Sequence, residues 1–168
     1  ILDLNNIKTG KIAFTNSATN ALNDLIFGID VKEGDYIYVS PFEHNSIIRP
    51  LEELKRRCKV NVSVLPFDKT TWKPDLQKIE NLFALHSPKA ILLSQVSNVT
   101  GYMLPYNEIF EKGKKYNSIN ILDSSQGYGI VKIDDFSNIN YIVFAGHKSL
   151  YASFGIAGYI KLQNDFLK

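Results

Sequence analysis

The sequence holds one cysteine (Cys58), one methionine and one tryptophan among 168 residues. A lone cysteine excludes an internal disulfide and agrees with a reducing compartment, so the cytoplasm is the expected location. Long hydrophobic runs are missing too: no stretch approaches the ~20 apolar residues that cross a bilayer, and the first residues lack the basic-then-apolar order of a signal peptide. No membrane partner is expected. Nor is there an excess of one charge, since 19 basic and 17 acidic residues are well mixed, for a formal net charge of +2. Such a surface offers no field to nucleic acid. The densest basic spot, Lys55-Arg56-Arg57, reads as a solvated helix end, and the aromatics are too scattered to form a base-stacking surface. The chain also lacks a Gly-x-x-x-x-Gly-Lys-Ser/Thr run and a Gly-x-Ser-x-Gly elbow, and His44, His86 and His147 have no zinc-binding spacing.

What is present is ordinary globular material, 45% apolar and 21% charged, which is ample for a packed core. No repeat, low-complexity tract or linker divides it, so residues 1–168 are read as one domain. Because the chain begins with Ile1 and stops at Lys168 soon after an apparent strand, that domain is expected to be cut at both ends from something longer.

Short β-branched or aromatic runs alternate with amphipathic stretches, the pattern of a three-layer α/β/α fold on a mostly parallel seven-stranded sheet. The expected strands are Lys11 to Thr15, Tyr36 to Ser40, Asn61 to Leu65, Ala90 to Gln95, Ile119 to Asp123, Tyr141 to Ala145 and Ala157 to Lys161. Helical spacing recurs in Ala18, Ala21, Leu22, Leu25 and Ile26, and again in Ile47, Leu51, Leu54 and Cys58, which makes Cys58 a small buried core residue. Pro74 and Pro105 are placed in the first turns of two further helices, and His86 at a helix end. The glycines and Asp134-Asp135 after Asp123 predict a loop there. Ile1 to Gly10 reads as the remnant of an upstream element.

In parallel α/β sheets ligands lie beyond the carboxyl ends of the strands. Five loops at such ends hold informative side chains. Asn16-Ser17-Ala18-Thr19 leads into a helix whose free amides suit a phosphate, although it also reads as an ordinary cap. Glu43-His44-Asn45-Ser46 offers an imidazole that could stack on a ring or simply cap a helix. Ser97-Asn98-Val99-Thr100-Gly101 supplies an amide in what is otherwise a plain turn. The last two loops pair Asp123 and Gln126 with Gly146-His147-Lys148, the lysine lying 25 positions after the acid. A lysine and an acid so placed suggest pyridoxal phosphate, which needs an amine to hold its aldehyde as a Schiff base and a carboxylate for its pyridine nitrogen.

Together, Phe14 to Asn23, Glu43 to Pro50, Ser97 to Gly101, Asp123 to Gln126, and Gly146 to Tyr151 with Gly155-Ile156 resemble class V of the fold-type I pyridoxal phosphate enzymes. The likeness is greatest to the cysteine desulfurase and selenocysteine lyase group. It implies that Lys148 holds the cofactor and moves protons at the substrate α-carbon, that Asp123 pairs with the ring nitrogen, and that His44 stacks on the ring. Gln126 and Asn98 would bond the ring hydroxyl region, while Thr19, the amide of Ala18 and His147 would hold the phosphate. The implied activity is removal of sulfur from L-cysteine, giving alanine and an enzyme persulfide, in a homodimer of longer chains.

The resemblance has departures. Ala145 stands where many relatives have a phosphate-binding hydroxyl, Ser124-Ser125 where they often have two alanines, and Ser17 where they often have glycine. Family members are more than twice this long. Their smaller C-terminal domain, which brings the nucleophilic cysteine and a substrate-binding arginine, would lie outside these residues, so the isolated piece is expected to be inactive. Two alternatives remain open: another class V reaction such as transamination, epimerisation or β-lyase chemistry, and a degenerate domain used only for protein contacts.

Overall fold

A computed structural model describes residues 1–162. Seven strands form one sheet, β1 (Lys11–Thr15), β2 (Tyr36–Val39), β3 (Asn61–Val64), β4 (Pro88–Ser94), β5 (Ile119–Asp123), β6 (Tyr141–Ala145) and β7 (Ala157–Lys161). Four helices cross between them, α1 (Ala18–Gly28), α2 (Asn45–Cys58), α3 (Leu76–Leu85) and α4 (Tyr106–Lys114). The spatial order is β1-β7-β6-β5-β4-β2-β3. β3, β2, β4, β5 and β6 run parallel, and β7 is antiparallel to both β6 and β1. Because β7 reverses twice, β1 regains the direction of β6. Six strands therefore end along one edge of the sheet.

Burial on both faces explains why the strands read as continuous apolar runs. Alternate residues serve opposite layers: Ile37, Val39, Ala90, Leu92, Ile121 and Val143 pack with Leu22, Leu25, Ile47 and Leu51 of α1 and α2. Tyr38, Ile91, Leu93, Leu122, Ile142 and Phe144 face the other way, against Ile79 and Phe83 of α3 and Ile109 and Phe110 of α4. The fold is thus a three-layer α/β/α sandwich around a mostly parallel sheet. Each fully buried side chain of this size contributes about 1.5–3 kcal/mol, so neither layer can be lost without losing the sheet.

Several boundaries differ from the sequence reading. β2 stops before Ser40, whose hydroxyl accepts the Phe42 N–H and turns the chain, and β4 stops before Gln95, whose side chain turns toward Ser124. β4 starts two residues early, at Pro88, a position where the missing N–H does no harm. Neither Pro74 nor Pro105 lies in a first turn: Pro74 bridges to Phe67 before the Asp75 cap of α3, and Pro105 is itself the N-cap residue of α4. Cys58 is half-buried, because as the last residue of α2 it touches the core only from its margin. His86 does end α3, and its ring stacks on Tyr36 at 4.3 Å. Ile1 to Gly10 packs on the fold. Ile7 enters the core, Asn5 is buried and accepts the Ile133 N–H, and Ile1 accepts the Tyr128 hydroxyl.

The double reversal at β7 has a steric condition. A side chain on Gly158 would stand 2.2 Å from the Ala13 carbonyl oxygen and 3.0 Å from the Phe144 ring. Backbone on one side and a buried ring on the other leave no room to yield. Gly158→Ala is expected to destabilise the protein by about 1–3 kcal/mol, the usual range for overpacking, as read by the urea midpoint. An unchanged midpoint would mean that β1 is not held against β7 in this register.

Candidate active site

Beyond the shared edge of strand ends lies a cavity of about 340 Å³. Its size falls within the range of small-molecule sites. All eight residues singled out from the sequence line it: Ala18, Thr19, His44, Asn98, Asp123, Gln126, His147 and Lys148. Cys58 does not.

Each wall follows from local structure. Ser17 caps α1 by accepting the Asn20 N–H at 3.1 Å, which leaves the first-turn amides of Ala18 and Thr19 at the cavity. His44 caps α2: its Nδ1 accepts the Ser46 N–H at 3.0 Å, so the neutral ring carries its proton on Nε2. Nδ1 also lies 2.8 Å from the Ser46 hydroxyl, which lies 2.9 Å from that of Thr19. Three cavity groups thus share one polar chain.

Asp123 ends β5 beside Ser94, its register partner at the end of β4. The carboxylate is buried, and its Oδ1 accepts both the N–H (3.0 Å) and the hydroxyl (2.5 Å) of Ser125. The neighbouring Ser124 hydroxyl bonds Gln95 Oε1, tying this turn back to β4. Asn98 is exposed on a turn fixed by the Gly101 N–H donating to the Ser97 carbonyl.

After β6 the chain folds back sharply enough for the Gly146 N–H to reach the Ile156 carbonyl at 2.8 Å. A side chain at Gly146 would lie 2.6 Å from that same oxygen, so glycine is what allows His147 and Lys148 to stand at the rim. The His147 ring stacks on Phe154 at 4.9 Å, and its Nδ1 is buried without a hydrogen-bond partner among the described residues. A buried polar atom left in this state at a cavity wall fits a ligand that supplies the missing bond.

Sequence reasoning missed Ser46, Ser94, Ser125 and, above all, Glu43. The Glu43 carboxylate is enclosed although part of the residue reaches solvent. Oε1 accepts from the Ser40 hydroxyl (2.5 Å) and the Ser94 N–H (3.0 Å), and Oε2 accepts the Ser94 hydroxyl (2.7 Å). Burial pushes the carboxyl up from 4.5 to about 7; the serine bonds oppose that rise and the nearby Asp123 charge adds to it. The available signal was positional, a glutamate in the loop between β2 and α2, but its serine partner is 51 residues away.

This geometry is that of an α/β protein with an amine and a buried carboxylate lining one cavity at the strand tips, the place where such folds hold ligands. The family model described as aminotransferase class-V matches residues 1–166, and the chain belongs to that family. It is 29% identical over 157 residues to a protein of Pseudomonas putida named "Probable cysteine desulfurase", covering 91% of this chain and 38% of that one. A protein of the same name from Halalkalibacterium halodurans is 30% identical over 146 residues, or 83% of this chain and 35% of its own. The apo structure of a cysteine desulfurase from Thermococcus onnurineus superposes with a TM-score of 0.86 at 24% identity, over 98% of this chain and 41% of that one. The chain thus spans about two-fifths of the length of these relatives.

The enclosed Glu43 has a stability signature. A carboxyl raised in the folded state favours folding below its ordinary value, and that contribution is lost as pH rises from 4.5 through about 7. Glutamine cannot ionise. Between pH 5 and pH 8, Glu43→Gln is therefore expected to remove a stability loss of up to about 3 kcal/mol, measured by urea unfolding at each pH. Parallel pH profiles for the two proteins would show that the carboxyl is not enclosed.

Proposed function

We propose that these residues form the cofactor-binding large domain of a pyridoxal phosphate enzyme of the cysteine desulfurase type, acting on an amino acid, with L-cysteine the best-supported substrate. The observation that carries this reading is the convergence of Lys148 and Asp123 on one cavity that also holds the start of α1 and the His147 Nδ1, which has no partner among the described residues. When bound, the cofactor supplies an electron sink for the negative charge that develops at the substrate α-carbon.

The chain's own residues divide the remaining work. Lys148 Nζ would hold the cofactor through its aldehyde and would be the group that moves a proton at the substrate α-carbon. Asp123 would present its carboxyl to the ring nitrogen, and the two Ser125 bonds fix its orientation. His44 offers a flat face with its Nε2 proton free, while Gln126 and Asn98 provide amides for the ring oxygen. The amides of Ala18 and Thr19 and the His147 ring would hold the phosphate at the positive end of α1. Ala145 adds no hydroxyl there.

Cys58 lies outside the cavity wall, so the thiolate that would accept sulfur comes, in this reading, from residues beyond these 168. A second copy of the full-length chain would cover the rim, where Tyr151 and Phe154 are 88% and 86% exposed beside Lys148. The cavity, with every assigned residue on its wall, supports a working site over a degenerate scaffold.

Adding the cofactor to this chain is expected to give a yellow absorbance that Lys148→Ala abolishes. Asp123→Ala should weaken uptake by about 10-fold or more, the range for loss of a charge-assisted hydrogen bond. Colour that persists without Lys148, or no uptake by the full-length protein, would sink the reading. Sulfide released from L-cysteine by these residues alone would overturn the assignment of the thiolate elsewhere.

A further inference from the structure

Glu43 has no part in the chemistry above, yet its carboxylate accepts three hydrogen bonds beside the cavity. Both of its oxygens are engaged, one by two donors and one by a third, and two of the three donors belong to Ser94. Ser94 ends β4, lines the cavity and is the register partner of Asp123. Glu43 therefore ties the β2–α2 loop to the strand tip next to the buried carboxylate.

The same loop is braced on its other side. Phe42 packs against Phe67 (5.5 Å), Trp72 (5.7 Å) and Tyr102 (5.2 Å), and the Phe42 N–H donates to Ser40. Between that aromatic wedge and the first turn of α2, the chain has little freedom. The next residue is His44, whose place on the cavity wall is further set by Ser46.

We propose that Glu43 is a positioning residue: its carboxyl locks the loop to β4 and so fixes the His44 ring on the cavity wall. The role is one of hydrogen-bond geometry. Glutamine keeps a carbonyl oxygen for the Ser94 N–H and offers an amide to the serine hydroxyls, so it should preserve the lock. Alanine releases it. The use of the positioned ring in holding the cofactor rests on the pyridoxal phosphate reading, whereas the link from Glu43 to His44 rests on the protein alone.

Two measurements on the 168-residue chain separate these. In the protein without cofactor, nitrogen NMR of the imidazoles should show His44 with an acceptor Nδ1 and a protonated Nε2, a signature lost in Glu43→Ala and kept in Glu43→Gln. In the protein with pyridoxal phosphate added, Glu43→Ala and His44→Ala should each weaken binding by roughly 10-fold, with the double variant within about 3-fold of either, as expected when one residue acts through the other. Additive losses, an unchanged His44 signature in folded Glu43→Ala, or a glutamine variant that behaves like alanine would each overturn the proposal. Should Glu43→Ala fail to fold, Ser94→Ala removes one of the three bonds and is expected to broaden or shift the His44 signals; unchanged signals would count against the lock. Failure of the wild type to take up cofactor would defeat the functional reading, yet the unloaded spectra would still decide the role of Glu43.

Discussion

The site depends on parallel register. Side chains in the loops after β1, β2, β4, β5 and β6 can meet only if those strands point the same way and end at one level. The ladder sets that level by pairing Ser94 with Asp123 and Asp123 with Val143. The antiparallel β7 is what admits β1 to the same edge, bringing the start of α1 to a cavity otherwise built from the centre of the sheet. A slip of one residue would turn Asp123 from the cavity into a helix layer. Lys148 would then face no carboxylate, however well the loops were formed.

The register also concentrates charge in a way that requires compensation. Two carboxyls, Asp123 at the end of β5 and Glu43 in the loop after β2, lie on either side of the β4 tip, close enough for the charge of the first to raise the second. Serines answer both: Ser125 supplies two donors to Asp123, and Ser40 and Ser94 supply three to Glu43. Bonds to the charged form favour ionisation while burial opposes it. Burial prevails at Glu43. Glu43 therefore takes up a proton near neutrality, while Asp123 is held in place by the two Ser125 bonds.

Much of this was legible in the sequence because parallel strands buried on both faces have a plain signature, and because loops after strands are where functional side chains lie. Four of the seven strands were placed at their observed ends, and the eight residues assigned to a cavity do line one. What could not be read was long-range. Nothing local shows that Ser94 reaches Glu43, that Asn5 meets Ile133, or that the Thr19 hydroxyl joins Ser46. Cys58 misled for a related reason: helical spacing gives the face a residue is on, whereas its depth depends on where the helix leaves the sheet. Pro74 and Pro105 were placed by a preference for first turns, but here Asp75 and the β4–α4 loop set the helix starts.

The departures from the family pattern bear on whether the site works at all. Ser124 and Ser125, standing where relatives often have alanine, both make bonds: one hydroxyl ties the turn to Gln95, and the other holds Asp123. Ala145 removes a hydroxyl from the phosphate side, yet that wall keeps the α1 amides, the Thr19–Ser46 pair and an unpartnered His147 nitrogen. A scaffold used only for protein contacts would have no need for an enclosed carboxyl that loses stability as pH rises, nor for a buried imidazole nitrogen with no bond. Both are costs that an apolar filling would remove. Among the described residues, the His147 nitrogen lines the same cavity as Lys148 and the buried Asp123 carboxylate, where a ligand carrying an anion at one end and a cation at the other would meet both ends, while Glu43 stands behind that wall, tied to Ser94.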